Sequence, residues 1–363
     1  MTPSPTEYGW EAEDTAPGMS LQPKPATAPV VVLGDANVDL VIQLPDYAGG
    51  SRDLSKSEPQ LFGGGTCANV AVALARLGVP ALFAGAVGED GYGRWIRDDF
   101  QHEGVDTSGL VWLPDAFTPT VIALVQVNGE RDLVVFPTDG GAPNLLEPPQ
   151  LNAAVIERAA WLHTTGICLR GALSRDALLH GMRLARAAGV PVSIDLNLRI
   201  ELWGYDEDIR RTIEEAISLA TVVFGGGADE IIPVAKNYPD VLQPQEAATS
   251  METGAGVGVA EARKLCSNER LIVVRNGAAG VTAVTPDSVQ HSPAFPVKVV
   301  NAIGAGDAFS AGYIAAQVAG LSVAESLRWA NAVAALKLGR PGGARDLPRR
   351  DEVLALLNSP PMP

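Results

Sequence analysis

The sequence has few of the residues that bind metals or form disulfides, with three cysteines and four histidines among 363 residues. Cys67, Cys168 and Cys266 lie far apart and form no C-x-x-C pair, and the histidines show no ligand spacing. We therefore expect small buried thiols in a reducing compartment and no structural metal site.

Segments typical of membrane insertion or secretion are also missing. No apolar run approaches the ~18 residues that a membrane-spanning helix needs. Residues 1–29 contain six prolines and four acidic residues, without the apolar stretch of a signal peptide. This composition predicts a disordered N-terminal tail on a cytoplasmic protein that does not enter a membrane.

Positive charge is scarce. The 27 lysines and arginines stand against 42 aspartates and glutamates, which gives a net charge of −15. Such a protein repels the phosphate backbone of nucleic acids, so no nucleic-acid partner is expected. A phosphorylated ligand would have to be held by a local arrangement of backbone N–H groups and a metal ion.

Two common phosphate-binding motifs do not apply here. No Gly-Lys pair occurs in the chain, which excludes the G-x-x-x-x-G-K-[ST] loop. Residues 63–68 fit G-x-G-x-x-A, but residues 55–60 before them are too polar for the buried strand that a dinucleotide site requires.

Apolar runs alternate with helical patterns over residues 30–357 and predict one α/β domain, followed by a short tail at 358–363. The β-rich runs 121–127 and 132–136, joined by Asn128-Gly129, predict a hairpin that forms a lid or an edge ribbon.

Several local elements are predicted within this domain. A helix is expected to start at Ser174 as its N-cap, and residues 236–258 are expected to form a surface loop. Two helices, at about 305–319 and 323–338, close the domain, and the second opens with a capping box at Ser322.

The sharpest local pattern is the run from Gly304 to Phe309, which opens the helix predicted at 305–319. Small residues at a helix start leave N–H groups free, and the helix dipole adds positive potential there. Asp307, in the first turn, would then lie beside a docked anion and could accept a proton from an attacking hydroxyl. The alternative is an aspartate that only stabilises the helix N-terminus.

Several motifs in order resemble the ribokinase-like (pfkB) family of carbohydrate kinases, over about residues 30 to 347. Each motif is weak alone, and their shared order makes the resemblance specific. The motifs are Gly34-Asp35-Ala36-Asn37-Val38-Asp39, Gly64 to Ala71, Gly85 to Gly93, Asp195-Leu196-Asn197-Leu198-Arg199 with Leu202-Trp203, Gly304 to Phe309, and Ala330-Asn331-Ala332.

The resemblance implies a doubly wound, mainly parallel central sheet with helices on both faces and a small β lid, with lid strands from about 40–62 and 111–137. It implies ATP-dependent phosphorylation of a small sugar or sugar acid at a primary hydroxyl. In that interpretation Asp307 is the catalytic base, and the amides of Gly304, Ala305 and Gly306 form an anion hole.

The resemblance also assigns the sugar-binding residues. Asp39 would accept hydrogen bonds from sugar hydroxyls, with Asn37 beside it. Gly64 and Gly65 would let the sugar approach the backbone, and Asn69 would bind a further hydroxyl. The alternative for Asp39 is a turn residue at a strand end.

The nucleotide site follows from the same resemblance. Asn197 would face the ATP phosphates, and Arg199 would either do the same or hold the following loop by an ion pair. Glu230 would organise Mg²⁺ through water. Gly277 and Asn331 would line the adenine pocket, although Asn331 could equally be structural.

Two departures from the family pattern bear on the cofactors. Asn301-Ala302-Ile303 replaces an acidic tripeptide in a loop that often helps to hold a monovalent cation, so K⁺ activation is in doubt. Gly227 stands where the family has an asparagine. These departures motivate a second hypothesis, a sugar- or nucleotide-binding paralogue with weakened catalysis.

The identity of the acceptor is left open by the sequence. Fructose, ribose and 2-keto-3-deoxygluconate all fit, and a nucleoside remains an alternative. Exposed lid strands predict a possible homodimer through the lid.

Overall fold

A computed structural model of the chain describes residues 28–44, 58–126, 131–137, 140–200, 204–236, 254–341 and 346–359. The predictions for residues 1–27, for the Asn128-Gly129 turn, for Leu202-Trp203, for most of the 236–258 loop and for residues 360–363 lie outside the described residues.

A nine-stranded sheet forms the centre of the molecule. Its order is β13-β12-β11-β10-β9-β8-β1-β4-β5, and every neighbouring pair from β11 to β5 is parallel, whereas β12 and β13 are antiparallel additions. The strands are β1 Val30–Leu33, β4 Ala81–Gly88, β5 Asp106–Leu113, β8 Trp161–Thr165, β9 Val192–Asp195, β10 Val222–Gly226, β11 Leu271–Arg275, β12 Val281–Val284 and β13 Val289–Ser292.

The central strands are continuous apolar runs because both of their faces are covered. All four residues of β1 and all eight of β4 are buried. The predicted doubly wound, mainly parallel sheet is thereby confirmed. The chain leaves β1 toward β4 on one side and later returns to β8 on the other, a switch point where open α/β sheets bind ligands.

Helices cover this sheet, some in direct contact with it and others packed on neighbouring helices. They are α1 Thr66–Arg76, α2 Gly91–His102, α3 Ala153–Glu157, α4 Ala172–Ala187, α5 Glu207–Leu219, α6 Ile232–Ala235, α7 Val259–Leu265, α8 Ala305–Val318, α9 Val323–Leu338 and α10 Arg350–Leu357. The capping box at Ser322 is confirmed, since the Ser322 side chain accepts from the Glu325 amide and Glu325 accepts from the Ser322 amide. Within the described residues, no helix is both long enough and apolar enough to cross a membrane.

The predicted N-cap at Ser174 is wrong. Helix α4 starts two residues earlier, at Ala172 after Gly171. The Ser174 hydroxyl donates to the carbonyl oxygens of Cys168 (3.0 Å) and Gly171 (3.1 Å) rather than accepting from a helix amide.

A separate four-stranded sheet has the order β3-β2-β6-β7, with β2 Asn37–Gln43, β3 Gln60–Gly64, β6 Thr120–Val125 and β7 Arg131–Phe136. It matches the expected lid, with β6 and β7 antiparallel as the hairpin pattern predicted. Residues 111–113 differ from the expectation, because they end β5 and pair with β4 in the main sheet.

Candidate active site

Helix α8 begins at a glycine in a left-handed conformation. Gly304, with φ of 78°, is its N-cap and supplies no side chain. Ala305 N–H donates to the Ala302 carbonyl at 3.2 Å, whereas the amides of Gly306 and Asp307 donate to no other described residue. Of the three amides predicted to form an anion hole, Ala305 is therefore engaged in a turn. The Gly304 amide likewise donates to no other described residue, so the amides of Gly304, Gly306 and Asp307 are open to an anion.

Asp307 lies in the first turn of α8 and is 8% exposed. Burial raises its pKa to about 7, the carboxylates of Asp195 and Asp35 add to this rise, and the Asn69 hydrogen bond opposes it. A carboxyl group with this pKa changes protonation near neutral pH, as a general base should.

Asn69 joins the start of α1 to the start of α8. Its side-chain Nδ2 donates to Asp307 Oδ2 at 2.8 Å. Asn69 was predicted to bind a sugar hydroxyl, and the structure places it between the two helix starts, in contact with the predicted base. The residue predicted on the sugar side and the residue predicted on the phosphate side thus share one hydrogen bond.

The other predicted sugar ligands gather where β2 pairs with β3. Asn37 lies opposite Gly64 in this antiparallel pair, and Asn37 Nδ2 donates to Asp39 Oδ1 at 2.6 Å. A Cβ on Gly64 would come within 2.6 Å of both side chains, so a larger residue would displace one or both of them. Burial raises the pKa of Asp39 to about 6, although the Asn37 hydrogen bond opposes the rise.

Gly65, with φ of 98°, is the N-cap of α1, and a Cβ on it would meet the Ala36 backbone at 2.8 Å. Asp35, which is about 30 residues earlier in the chain, caps this helix start. Its carboxylate accepts hydrogen bonds from the amides of Thr66 (2.9 Å) and Cys67 (3.0 Å). Asp35 belongs to the motif Gly34 to Asp39, but the sequence did not predict a function for it. Its position directly after a buried strand was the available signal.

On the nucleotide side, the ends of three neighbouring strands carry an ion-pair network. Arg275, at the end of β11, donates from both terminal nitrogens to the two oxygens of Asp195, each at 2.6 Å. Its Nη2 also lies 3.5 Å from Glu230 Oε2, and Ser310 Oγ donates to Asp195 at 3.0 Å. Sequence reasoning missed Arg275, for which the only signal was a basic residue ending an apolar strand.

Arg275 also borders the start of α8, where an anion is predicted to bind. A Cβ on Gly306 would lie 2.9 Å from Arg275 Nη1. The Arg275 side chain is 20% exposed, compared with 5% for its partner Asp195. A fixed cation therefore stands next to the open amides of α8.

Glu230, predicted to organise a metal, is bound by the backbone on both oxygens. Oε2 accepts from Gly226 N–H at 2.6 Å and Oε1 from Leu198 N–H at 3.1 Å. Leu198 lies between Asn197 and Arg199, which both have positive φ, of 34° and 51°. Glu230 thus holds the loop that carries both predicted phosphate ligands in an uncommon backbone conformation.

The two residues predicted for the adenine pocket differ in their surroundings. Gly277 has φ of 55°, and among the described residues beyond its two chain neighbours no atom lies within 4 Å of where its Cβ would be. Asn331 Nδ2, by contrast, donates to the carbonyls of Ser292 (3.2 Å) and Pro293 (2.9 Å) at the end of β13. These contacts favour the structural role for Asn331 that the sequence left open.

The sequence profile of the pfkB family of carbohydrate kinases matches residues 27–350. A fructokinase of Klebsiella pneumoniae is 32% identical over 336 residues, which span 89% of this chain and 97% of that relative.

Solved structures give the same result. A fructokinase from Xylella fastidiosa with bound ATP is similar with a TM-score of 0.75 and 28% identity, covering 90% of this chain and 97% of that one. A fructokinase double mutant from Vibrio cholerae O395, with fructose, ADP and a potassium ion bound, gives a TM-score of 0.72 and 27% identity. It covers 92% of this chain and 100% of that one.

Proposed function

This chain belongs to the pfkB family of carbohydrate kinases, and we propose that it transfers the γ-phosphoryl group of ATP to a primary hydroxyl of a small sugar, with fructose as the first candidate. The observation that carries the proposal is the 2.8 Å hydrogen bond from Asn69 to Asp307. It supports the proposal because it joins a buried carboxylate at the start of α8 to a residue predicted to bind the sugar.

In the proposed reaction, Asp307 accepts the proton of the attacking sugar hydroxyl. The amides of Gly306 and Asp307 donate hydrogen bonds to the transferred phosphoryl group. Together with the dipole of α8, they stabilise the negative charge that develops on it. Proton transfer can come late in a loose phosphoryl-transfer transition state, so a carboxylate suffices as the base.

Asp39 and Asn37 would hold the sugar at the lid. The Asp39 carboxylate is an acceptor when ionised, and the Asn37 amide both donates and accepts, so the pair can bind neighbouring hydroxyls. The tight fit of Gly64 against both side chains keeps the pair in place.

Mg²⁺ is the proposed metal cofactor, and the residues present fit an ion held largely by water and phosphate oxygens. Glu230 and Asp195 supply hard oxygen atoms that are already hydrogen-bonded to the protein, so they would act mainly through water. When bound, Mg²⁺ would neutralise charge on the ATP phosphates.

Residues 301–303, in the loop that often holds a monovalent cation in this family, depart from the family pattern. Asn301 Oδ1 accepts from Ile303 N–H at 3.0 Å, and its Nδ2 donates to the Pro341 carbonyl at 2.7 Å. We propose that these side-chain hydrogen bonds hold the loop before Gly304 without a bound K⁺.

The proposed setting is a homodimer in the cytoplasm, where ATP is available. Apolar side chains on the lid support the dimer, because Phe117, Val134 and Phe136 are each more than half exposed and β7 is an edge strand. Light scattering of the wild-type chain and a Val134→Lys variant would test it, with the variant expected to be monomeric.

The activity is tested by ADP release and phosphosugar formation over a panel of fructose, ribose, 2-keto-3-deoxygluconate and a purine riboside. We expect turnover with at least one sugar, and a rate about 10²–10⁴-fold lower with Asp307→Asn. Tight sugar binding without turnover by the wild type, at any Mg²⁺ concentration, would support the binding-paralogue hypothesis instead.

A further inference from the structure

One buried basic residue takes no part in the reaction described above. Lys337 is 1% exposed and is among the largest fully buried side chains of the described residues. Lysine is almost never fully buried unless its ammonium group has partners, because removing the charge from water is costly. The positive charge of Lys337 must therefore be balanced by groups around it.

The side chain of Lys337 ends next to the anion-binding helix start. Its Cε lies 3.7 Å from the position that a Cβ on Gly304 would occupy, and the same position is 3.9 Å from both Asp307 Oδ2 and Asn69 Nδ2. Burial lowers the pKa of Lys337, while the carboxylates of Asp346 and Asp307 oppose that change. The lysine therefore lies within the electrostatic reach of the predicted base.

Lys337 also sits where two helix ends meet. It belongs to the last turn of α9, where the helix dipole favours a cation. Helix α8, which starts at Gly304, packs closely on α9.

The loop leading to Gly304 is fastened to the residues that follow Lys337. The amides of Val300 and Asn301 both donate to the Leu338 carbonyl, at 2.8 and 3.2 Å. Asn301 Nδ2 donates to the Pro341 carbonyl at 2.7 Å. The charge of Lys337 would therefore act on the loop before Gly304, which is hydrogen-bonded to the residues just after Lys337.

We propose that the Lys337 ammonium group is a resident cation of the anion-binding loop, which supplies from the chain itself the positive charge that a bound monovalent cation would otherwise provide. This inference rests on the proposed kinase function. Lys337 is a positioning residue, since it acts on the Gly304–Asp307 turn rather than on the substrate. The consequence is a kinase whose rate does not depend on K⁺.

The test compares the kcat of the full chain with and without KCl, in buffers whose ionic strength is kept constant with tetramethylammonium chloride. We expect K⁺ to change the wild-type rate by less than about twofold. Lys337→Ala removes the charge and opens a cavity, and should lower kcat about 10²-fold, the usual loss for one electrostatic group at such a site. Adding K⁺, but not Li⁺, should raise the kcat of Lys337→Ala at least tenfold.

Lys337→Met is the matched variant, because methionine removes the charge but fills the space. It should be as slow as Lys337→Ala and should not respond to K⁺. Lys298→Met is the control, since Lys298 is exposed on the same loop, and it should leave the rate unchanged in every buffer.

Three results would overturn the inference. One is strong K⁺ activation of the wild type, and another is a normal rate for Lys337→Ala without K⁺. If Lys337→Ala does not fold, Lys337→Arg and Lys337→Met decide the question, and equal rates for these two would count against a role for the charge. Failure of the wild type to phosphorylate any sugar would instead refute the proposed function, a distinguishable outcome.

Discussion

The predicted sugar side and the predicted nucleotide side of the site use their carboxylates differently. On the sugar side, Asp39 accepts one hydrogen bond, from the neighbouring Asn37, within the described residues. On the nucleotide side, Asp195 accepts from both Arg275 nitrogens and from Ser310, and Glu230 accepts from two backbone amides. The Asp39 carboxylate therefore retains oxygen lone pairs that a ligand could use. The oxygens of Asp195 and Glu230 already accept hydrogen bonds that hold the protein structure in place.

This difference fits the ligands expected on each side. A neutral sugar is bound by hydroxyl groups, which need unoccupied acceptors and donors. A polyphosphate brings its own charge, so the protein needs a rigid frame of amides and cations that does not rearrange during the reaction. Asp307 stands at the boundary, with Asn69 from one side and the charges of Asp195 and Arg275 from the other.

The boundary role of Asp307 predicts the largest effect. Asp307→Asn should lower kcat by about 10²–10⁴, the usual contribution of a positioned base, because the amide cannot accept the hydroxyl proton. Steady-state kinetics should show a sugar KM close to that of the wild type. A near-normal kcat would remove Asp307 from the mechanism.

Arg275 tests the claim that the nucleotide side is a fixed frame. Arg275→Met leaves Asp195 as an unpaired buried charge, and should cost about 3–5 kcal/mol in the free energy of unfolding, measured by urea denaturation. Arg211→Met, at an exposed helix position, is the control and should leave stability nearly unchanged. Similar values for the two variants would show that the Asp195–Arg275 pair is not part of such a frame.

On the predicted sugar side, removing a carboxylate should weaken sugar binding and should have little effect on the stability of the fold. Asp39→Ala removes a charged acceptor and should raise the sugar KM by about 10–100-fold, which corresponds to a hydrogen bond to a charged group. Its unfolding free energy should change far less than that of Arg275→Met. An unaltered KM would place the sugar elsewhere.

The pH profile gives the smallest predicted effect. Because burial raises the pKa of Asp307 to about 7, the active ionised form is lost as the pH falls below that value. The kcat/KM should therefore rise from pH 5.5 to about pH 7 and then level off. Asp39, whose pKa burial raises to about 6, titrates in the same range, so the rise should follow two groups in the wild type. A rate independent of pH would contradict the assignment of Asp307.

Much of the fold could be predicted, and so could the close approach of Asn37, Asp39 and Gly64. Glycines and small polar residues in fixed order mark positions where the backbone or its neighbours leave little room. Gly64 and Gly304 are examples, one by close approach and the other by its positive φ. The parallel sheet followed from continuous apolar runs such as β1 and β4, which can be buried on both faces.

Partners distant in sequence could not be predicted. Arg275 and Asp195 are 80 residues apart and meet only because β9, β10 and β11 are adjacent in the sheet. Ser174 failed as a predicted cap for a related reason, since its hydroxyl is used by the carbonyls of Cys168 and Gly171. Patterns in a single sequence show local structural preferences. They do not show which polar side chains form hydrogen bonds with residues elsewhere in the fold.

The most direct measurement is a crystal structure of the chain with its sugar, ADP, Mg²⁺ and a fluoride analogue of the transferred phosphoryl group. The account predicts a carboxylate oxygen of Asp307 about 2.6–3.2 Å from the primary hydroxyl of the sugar, with the analogue on the amides of Gly306 and Asp307. A complex in which the sugar hydroxyl points away from Asp307, or in which the analogue lies off the start of α8, would contradict it.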